Sequence, residues 1–340
     1  MIVAGIDEAG YGPLLGPLVI SATAFRVPVT AATPAAHGHE PPALLEAGNF
    51  WAALSAAVTA KPPVQPGKLI VADSKIVHAR VDGLSLLEQT TLAFTQVLGK
   101  ILSSTADVPP SASTLQQLLL SLGQPPEPVF QQPWYQGDGP LPRFGSGTIG
   151  PTANFLARTL YTADITPVAL RTRVIAEHEF NRLVAVTNNK ASVLMGATFA
   201  HLSWLCRQFA AEDLLVIIDK QGGRDRYLDI LLETFPESRI KVLAESKSFS
   251  GYVLTGSHKP ATICFSPKAE SVCLATALAS MICKYLREVL MHDFNQWFQL
   301  RIPSLAPTAG YYQDGQRWLQ DVSGHLAKIG LDPERILRIR

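Results

Sequence analysis

The feature that most constrains the fold is the run Leu-Leu-Val-Ile-Ile-Asp at residues 214–219, where five consecutive apolar residues end in a carboxylate. A strand with apolar side chains on both faces needs cover on both faces, so the run predicts a central strand in a helix-covered sheet. A shorter apolar run, Ile2 to Ile6, also ends at acidic residues. Leu18 to Phe25 follows it after a turn rich in glycine and proline, and the two runs predict a β-hairpin.

Helical patterns alternate with further strand-like runs. Lys190 to Phe209 has apolar residues on one side, and Ser271 to Met291 is apolar on nearly every face, so both are predicted helices and the second a buried one. Shorter helical patterns occupy residues 83–102, 115–122 and 224–234, and strand-like runs occupy 68–73, 240–246 and 261–267. This order predicts an α/β fold with a mixed central β-sheet flanked by helices and a helical C-terminal part from about residue 294.

Two stretches interrupt the alternation. Residues 28–66 are rich in Ala, Pro and Thr, and residues 103–152 are rich in Pro, Gly and Ser. We predict that both are insertions in a single domain spanning residues 1–340, the first with a short helix at Asn49 to Ala60.

Bulk composition excludes some classes of protein. With 47% hydrophobic and 17% charged residues, the chain can build a large core and is not globally disordered. Its net charge is +1, so a nucleic-acid partner would need a local basic patch. No apolar run reaches the ~18 residues of a membrane span, and no basic leader precedes Asp7, so we expect a cytoplasmic monomer without a membrane partner. The four cysteines form no CxxC pair and are expected to be core thiols.

Four carboxylates lie at the ends of predicted elements. Asp7 and Glu8 follow the first strand, Asp219 ends the central strand, and Glu270 is predicted to begin the buried helix. Ends of separate strands and a helix start can converge at one edge of an α/β sheet. Four carboxylates packed together repel one another, and divalent cations relieve that repulsion, so the pattern is typical of a Mg²⁺ or Mn²⁺ site.

Other interpretations of these residues exist. Asp7 and Glu8 could mark a turn, Asp219 could cap a helix, and Glu270 could favour a helix N-terminus. The Gly-Ile-Asp start with its glycine loop also resembles the first phosphate loop of actin-like and sugar-kinase ATPases. Tyr11 and Pro13 follow here instead of Thr or Ser, and a second phosphate loop of the DxG type does not appear.

The motifs themselves resemble the type 2 ribonucleases H, the HII and HIII enzymes. Residues 5–17, Gly-Ile-Asp-Glu-Ala-Gly-Tyr-Gly-Pro-Leu-Leu-Gly-Pro, look like the opening signature of that family. In family order there follow segments similar to its Asp-Ser-Lys element, the helix before its third acidic strand, its fourth-carboxylate helix and its late Gly-Tyr element. These segments are Asp73–Lys75, Asn189 to Ala200, Lys268 to Lys284, and Gly310–Tyr311.

The resemblance implies an RNase H-like fold and an endoribonuclease that acts on RNA/DNA hybrids or on ribonucleotides embedded in duplex DNA. It implies catalytic metal ligands at Asp7, Glu8, Asp219 and Glu270, which hold two Mg²⁺ or Mn²⁺ ions and leave 5′-phosphate and 3′-hydroxyl ends. It also implies that Gly10, Tyr11 and Gly12 sense the ribose 2′-hydroxyl through the main chain, together with Tyr311.

Three basic or hydroxyl side chains complete the predicted substrate site. Ser74 and Lys75 would hold a backbone phosphate. Lys284 lies fourteen residues after Glu270, and on one helix it would return to within about 40° of the same face. It could point at the site or extend from the helix towards solvent. The C-terminal Arg335, Arg338 and Arg340 are expected to be exposed.

The chain combines features of both branches of the family. Glu270 and its Lys-Ala-Glu-Ser context resemble the HIII branch, whereas the late Tyr311 resembles HII, and Tyr11 replaces the arginine of the HII Gly-Arg-Gly loop. The branch is left open. Two other functions are also kept: a non-catalytic nucleic-acid-binding relative, and a related nuclease that acts on DNA only.

Overall fold

A computed structural model describes residues 1–28, 41–103, 112–145, 149–256 and 259–339. Parts of both predicted insertions, at residues 29–40, 104–111 and 146–148, lie outside these described residues. Within them, the strands are β1 (Ile2–Ala9), β2 (Leu18–Arg26), β3 (Val58–Thr59), β4 (Leu69–Ile70), β5 (Thr166–Ile175), β6 (Leu214–Asp219), β7 (Arg239–Glu245), β8 (Ser250–Thr255) and β9 (Ala261–Ser266).

Seven of these described strands form one sheet, in the spatial order β5-β2-β1-β6-β9-β8-β7. The central strand is β6, which pairs in parallel with β1 on one side and with β9 on the other. The remaining pairs are antiparallel, including the predicted hairpin β1–β2. The predicted α/β class with a mixed central sheet is therefore confirmed.

Helices cover both faces of the sheet. In the described residues they are α1 (Pro41–Glu46), α2 (Ser74–His78), α3 (Gly83–Ser103), α4 (Leu115–Ser121), α5 (Glu127–Phe130), α6 (Ile149–Thr162), α7 (Glu177–Thr187), α8 (Lys190–Gln208), α9 (Leu228–Thr234), α10 (Leu274–Gln299) and α11 (Tyr312–Leu326). Alternate residues of β1 join two separate cores: Val3 packs in the core that contains α3 and α10, and Ile2 and Ala4 pack in the core that contains α8.

Several element predictions need correction. The helix expected at Asn49 to Ala60 is wrong, because α1 ends at Glu46 and the segment after it forms turns that lead into β3. The strand predicted at 68–73 is shorter in the structure, where only β4 forms and pairs with β3 in a separate small sheet. Strands β5 and β8 were not predicted. Strand β5 lies at one edge of the large sheet and carries Arg171 and Arg173, so it lacks a continuous apolar pattern.

The buried helix α10 packs directly on the central strands of the sheet. It crosses the sheet at Gly5, where an added Cβ would stand 2.1 Å from the backbone nitrogen of Thr276. Thr276 also donates its hydroxyl to the carbonyl of Ile217 on β6, at 2.8 Å. Glycine at position 5 therefore allows the helix backbone to rest directly on the central strands.

None of the helices in the described part of the chain is long and apolar enough to cross a membrane.

Candidate active site

The first three carboxylates meet at one edge of the sheet. Strand β1 continues through Asp7 and Glu8 to Ala9, because β2 pairs with it along this length, so the predicted strand end at Ile6 is wrong. The parallel pairing of β1 with β6 ends at Ile6 and Ile218, which places Asp7 beside Asp219. Adjacent parallel strands in register present neighbouring side chains on the same face.

The fourth carboxylate reaches this edge through a short turn. Glu270 lies in a 3₁₀ turn, Ala269–Ser271, and not in α10, so the helix-face argument that linked it to Lys284 does not apply. The turn is attached to the central strand, since the backbone amide of Ala269 donates to Asp219 Oδ1 at 3.1 Å. Lys268 enters the turn with a φ of +56°, and the chain thereby turns back towards β6.

One cleft of about 210 Å³ contains every side chain predicted for the site. The predicted residues that line it are Asp7, Glu8, Gly10, Tyr11, Gly12, Ser74, Lys75, Asp219, Glu270, Lys284 and Tyr311. The structure adds Ala9, Pro13, Asp73, Ser280 and Arg287 to the lining. Segments more than 200 residues apart in the sequence thus form a single concave surface.

The cleft disfavours ionised carboxylates. Burial, followed by the charges of Glu8 and Asp219, raises the pKa of Asp7 well above its usual range. Burial and the charge of Asp219 raise the pKa of Glu8 from 4.5 to about 7. Burial likewise raises the pKa of Asp219 and that of Glu270. Four acids in one low-dielectric site thus favour their protonated forms, as carboxylates without a counter-charge do.

Lys75 partly offsets this repulsion. Its ammonium charge lowers the pKa of Glu8, of Asp219 and of Glu270. Lys75 is held at the start of α2, where its backbone amide donates to the side chain of Asp73 at 2.8 Å. The neighbouring Ser74 is buried and shares a hydrogen bond of 2.9 Å with Ser280 of α10. The Asp-Ser-Lys segment is therefore locked against the wall of the cleft.

Lys284 has a partner of its own. Its Nζ donates to Glu288 Oε1 at 2.6 Å, one helical turn further along α10, and His78 Nε2 lies 3.6 Å from the other oxygen of that carboxylate. Burial by itself would raise the pKa of Glu288, but the nearby His78 imidazole and the charge of Lys284 lower it to about 2. Lys284 is buried in the wall of the cleft, and it does not extend from the helix towards solvent.

A divalent cation fits the donor chemistry of the four acids. Carboxylate oxygens are preferred ligands of Mg²⁺ and Mn²⁺. Glu270 Oε2 is buried without a hydrogen-bond partner among the described residues, and the raised pKa values mark negative charge that a cation would neutralise. In the described part of the chain, however, no three or more His, Cys, Asp or Glu side chains are arranged to hold a metal ion. The acids would have to draw closer together to share one.

Residues 10–12 of the glycine loop form part of the rim of the cleft. Gly10 has a φ of +89°, and a Cβ there would stand 2.4 Å from the carbonyl oxygen of Pro17, so only glycine fits. The Tyr11 ring lies 5.3 Å from the Nζ of Lys190. Tyr311 is 50% exposed, and the Arg287 guanidinium lies 5.6 Å from its ring. An aromatic face and a glycine backbone therefore border the carboxylates.

Two arginines at this rim were missed or misjudged. Arg287 of α10 is fully buried and donates to the carbonyls of Leu15 and Ala309, at 3.2 and 3.0 Å. Arg338 was expected to be exposed, which is wrong, because its side chain is only 3% exposed and reaches under the glycine loop. Arg335 is exposed as predicted, and Arg340 lies outside the described residues. The spacing of residues in the sequence offered no signal for the burial of Arg338, since the carbonyl groups that its side chain binds are more than 300 residues away.

Comparisons with known proteins give structural likeness only. No protein-family model and no curated protein matches the chain. Similar solved structures include RNase HII of Archaeoglobus fulgidus in its complex with PCNA (13% identity, TM-score 0.39, 100% of this chain and 95% of that one). Ribonuclease H2 of Pyrococcus horikoshii OT3 has 12% identity and a TM-score of 0.40, over 99% of this chain and 92% of that one. A Bst-RNase HIII in complex with Mn²⁺ has 14% identity and a TM-score of 0.39, over 94% of this chain and 62% of that one. At such low values these likenesses leave the function to be judged from the residues of the cleft.

Proposed function

We propose that this chain is a metal-dependent endonuclease of the type 2 ribonuclease H kind. It hydrolyses the RNA strand of RNA/DNA hybrids or ribonucleotides embedded in duplex DNA. The observation that carries the proposal is the meeting of Asp7, Glu8, Asp219 and Glu270 in one cleft with the glycine loop. These groups come from distant segments of the chain. A set of mutually repelling acids lowers the stability of the fold, and such sets are typical of functional sites.

The four carboxylates would hold two Mg²⁺ or Mn²⁺ ions. When bound, such ions supply hydroxide at neutral pH and stabilise the leaving 3′-oxygen, which yields 5′-phosphate and 3′-hydroxyl ends. Asp7, which is buried, and Asp219, which is partly buried, would provide the centre of this acidic site, on adjacent parallel strands. Glu8 and Glu270 would complete the ligand set, and Glu270 Oε2, which has no hydrogen-bond partner among the described residues, is available to bind a cation.

Positive and hydroxyl groups on the wall would place the substrate backbone. Lys75 already acts on the carboxylates through its charge, and a phosphate bound beside them would lie within reach of its ammonium group. Ser74 is anchored by Ser280, and Lys284 by Glu288, so both would offer donors in fixed positions. The Gly10–Gly12 loop would contact the ribose and the exposed ring of Tyr311 would stack on the duplex.

We also propose that residues 1–340 form one catalytic domain in which 28–66 and 103–152 are insertions. On this proposal the helical C-terminal part begins at about residue 294, with the end of α10, and includes α11, and the nucleic acid is the partner.

A second candidate is a non-catalytic nucleic-acid-binding protein of the same fold. The observation that favours it is the lack, among the described residues, of three or more side chains arranged to hold a metal ion. It predicts binding of RNA/DNA duplexes without metal-dependent turnover. This alternative gives no functional reason for the raised pKa values of the acids.

A panel of duplexes tests both candidates. We expect cleavage of a DNA duplex with one embedded ribonucleotide, or of an RNA/DNA hybrid, in Mg²⁺ or Mn²⁺, and no cleavage of the all-DNA duplex. Asp7→Asn should abolish the activity, while Glu233→Gln, an exposed carboxylate on α9, should keep it. Binding without cleavage at either metal would favour the second candidate, and equal cleavage of the all-DNA duplex would identify a DNA nuclease instead.

A further inference from the structure

The C-terminal Arg338 is built into the back of the glycine loop. Its guanidinium donates to the carbonyl oxygens of Gly10, of Tyr11 at 3.2 Å and of Gly16 at 3.4 Å. Its backbone amide donates to the carbonyl of Leu14 at 2.9 Å. One residue, far from the loop in sequence, thus binds four of its carbonyl groups.

These contacts determine where the loop amides point. In a trans peptide the carbonyl and the following N–H lie on opposite sides of the bond. Because the Gly10 and Tyr11 carbonyls face Arg338, the N–H groups of Tyr11 and Gly12 point away from it. Both of these residues line the cleft, whereas Arg338 does not. Neither amide donates a hydrogen bond to any residue in the described part of the chain. The loop therefore offers two unused donors beside Glu8.

The guanidinium is itself held in place. It stacks on the Phe180 ring at 3.9 Å, and Glu177, which is fully buried, accepts a hydrogen bond from the Tyr135 hydroxyl at 2.7 Å nearby. Burial, followed by the charge of Arg287, lowers the pKa of Arg338 to about 10, so it stays protonated at neutral pH. A buried charge next to a second buried cation is costly, and an exposed position would have avoided that cost.

We infer that Arg338 is a positioning residue, which sets the Gly10–Gly12 peptides so that the Tyr11 and Gly12 amides donate to the 2′-hydroxyl oxygen of a bound ribonucleotide. The inference rests on the proposed function, since it concerns the substrate of the same cleft. A deoxyribose has no oxygen at this position, so two amides in fixed orientation would favour ribose over deoxyribose. A loop whose peptides can rotate would lose this preference and keep its phosphate contacts.

The test is a binding measurement that needs no catalysis. Fluorescence anisotropy in EDTA compares a duplex that carries one ribonucleotide with an all-DNA duplex of the same sequence, for the wild type and for Arg338→Lys. Lysine keeps the charge but cannot span several carbonyls with a planar fork. We expect the ratio of the two affinities to fall about tenfold, the value of one to two net hydrogen bonds, with the all-DNA affinity nearly unchanged. Arg335→Lys, an exposed position in the same tail, should keep the wild-type ratio.

The possible results separate this inference from the function on which it rests. A wild type that neither prefers nor cleaves the ribonucleotide duplex would refute the proposed function. A wild-type preference that Arg338→Lys retains in full would overturn only the role of Arg338. If the lysine variant has no cooperative melting transition, Phe180→Leu removes the stacking ring instead, and the same loss of ratio is expected. An unchanged ratio in that variant would equally overturn the inference.

Discussion

Replacing Glu8 by Gln should stabilise the metal-free protein at alkaline pH. The pKa of Glu8 is raised from 4.5 to about 7, because burial and the charge of Asp219 disfavour its ionised form. A difference of this size corresponds to about 3 kcal/mol between the folded and unfolded states. Glu8 is only partly buried, so solvent screens part of the cost. We expect Glu8→Gln to raise the free energy of unfolding by between about 1 and 3 kcal/mol at pH 8.

The sign of the effect depends on pH and on metal. Below pH 4.5 Glu8 is neutral in the folded and the unfolded protein, so the variant has no advantage. Between pH 4.5 and about 7, Glu8 ionises in the unfolded chain but not in the folded one, so the wild type loses stability as the pH rises. Above pH 7 the full difference applies. A cation that binds only the folded state stabilises the wild type by about 2.7 kcal/mol at a concentration of 100 Kd. Saturating Mg²⁺ or Mn²⁺ should therefore cancel or reverse the advantage of the variant.

Urea denaturation followed by circular dichroism measures the free energy of unfolding at pH 4, 6 and 8, in EDTA and in about 10 mM Mg²⁺ or Mn²⁺, which is about 100 Kd for a weak site. Glu233→Gln is the matched control, since it removes an exposed carboxylate and should change stability by less than about 0.5 kcal/mol. The reasoning is refuted if Glu8→Gln in EDTA is no more stable than the wild type at pH 8. It is also refuted if both proteins gain equally from the metal.

Two further substitutions test the packing that positions the cleft. Gly5→Ala would place a methyl group 2.1 Å from the Thr276 backbone, and should cost about 3 kcal/mol or more in thermal unfolding, since α10 would have to move off the sheet. A loss below about 1 kcal/mol would show that the close approach does not limit the fold. Glu88 is fully buried, and its carboxylate accepts hydrogen bonds from the Tyr285 hydroxyl at 2.9 Å and from the backbone amides of Arg143 and Phe144. Glu88→Gln replaces this carboxylate with a neutral amide that has only one acceptor oxygen. It should lower the free energy of unfolding by about 1 to 3 kcal/mol in urea, and an unchanged midpoint would contradict this.

Some of the site could be predicted because its signals are local. The apolar run of β6 and the glycine-punctuated hairpin indicate their elements by composition alone, and the acids at their ends follow directly. Glu270 was selected as a candidate and lies in the cleft, but its predicted element was wrong, because a 3₁₀ turn before a helix has no pattern distinct from the helix itself. The edge strand β5 was missed because Arg171, Thr172 and Arg173 interrupt the apolar pattern by which strands are recognised.

The amino-acid sequence by itself determined which chemical groups are available: four carboxylates, a glycine loop, Ser74 and Lys75, each beside a local pattern that predicts a strand end or a turn. Only the tertiary structure decided how those groups act on one another. The raised pKa of Glu8 depends on Asp219, the orientation of Lys284 on Glu288 and His78, and that of the glycine loop on Arg338. The physical reason is that Coulombic, burial and hydrogen-bond energies depend on distance in space, and most of these partners lie a hundred or more residues apart along the chain.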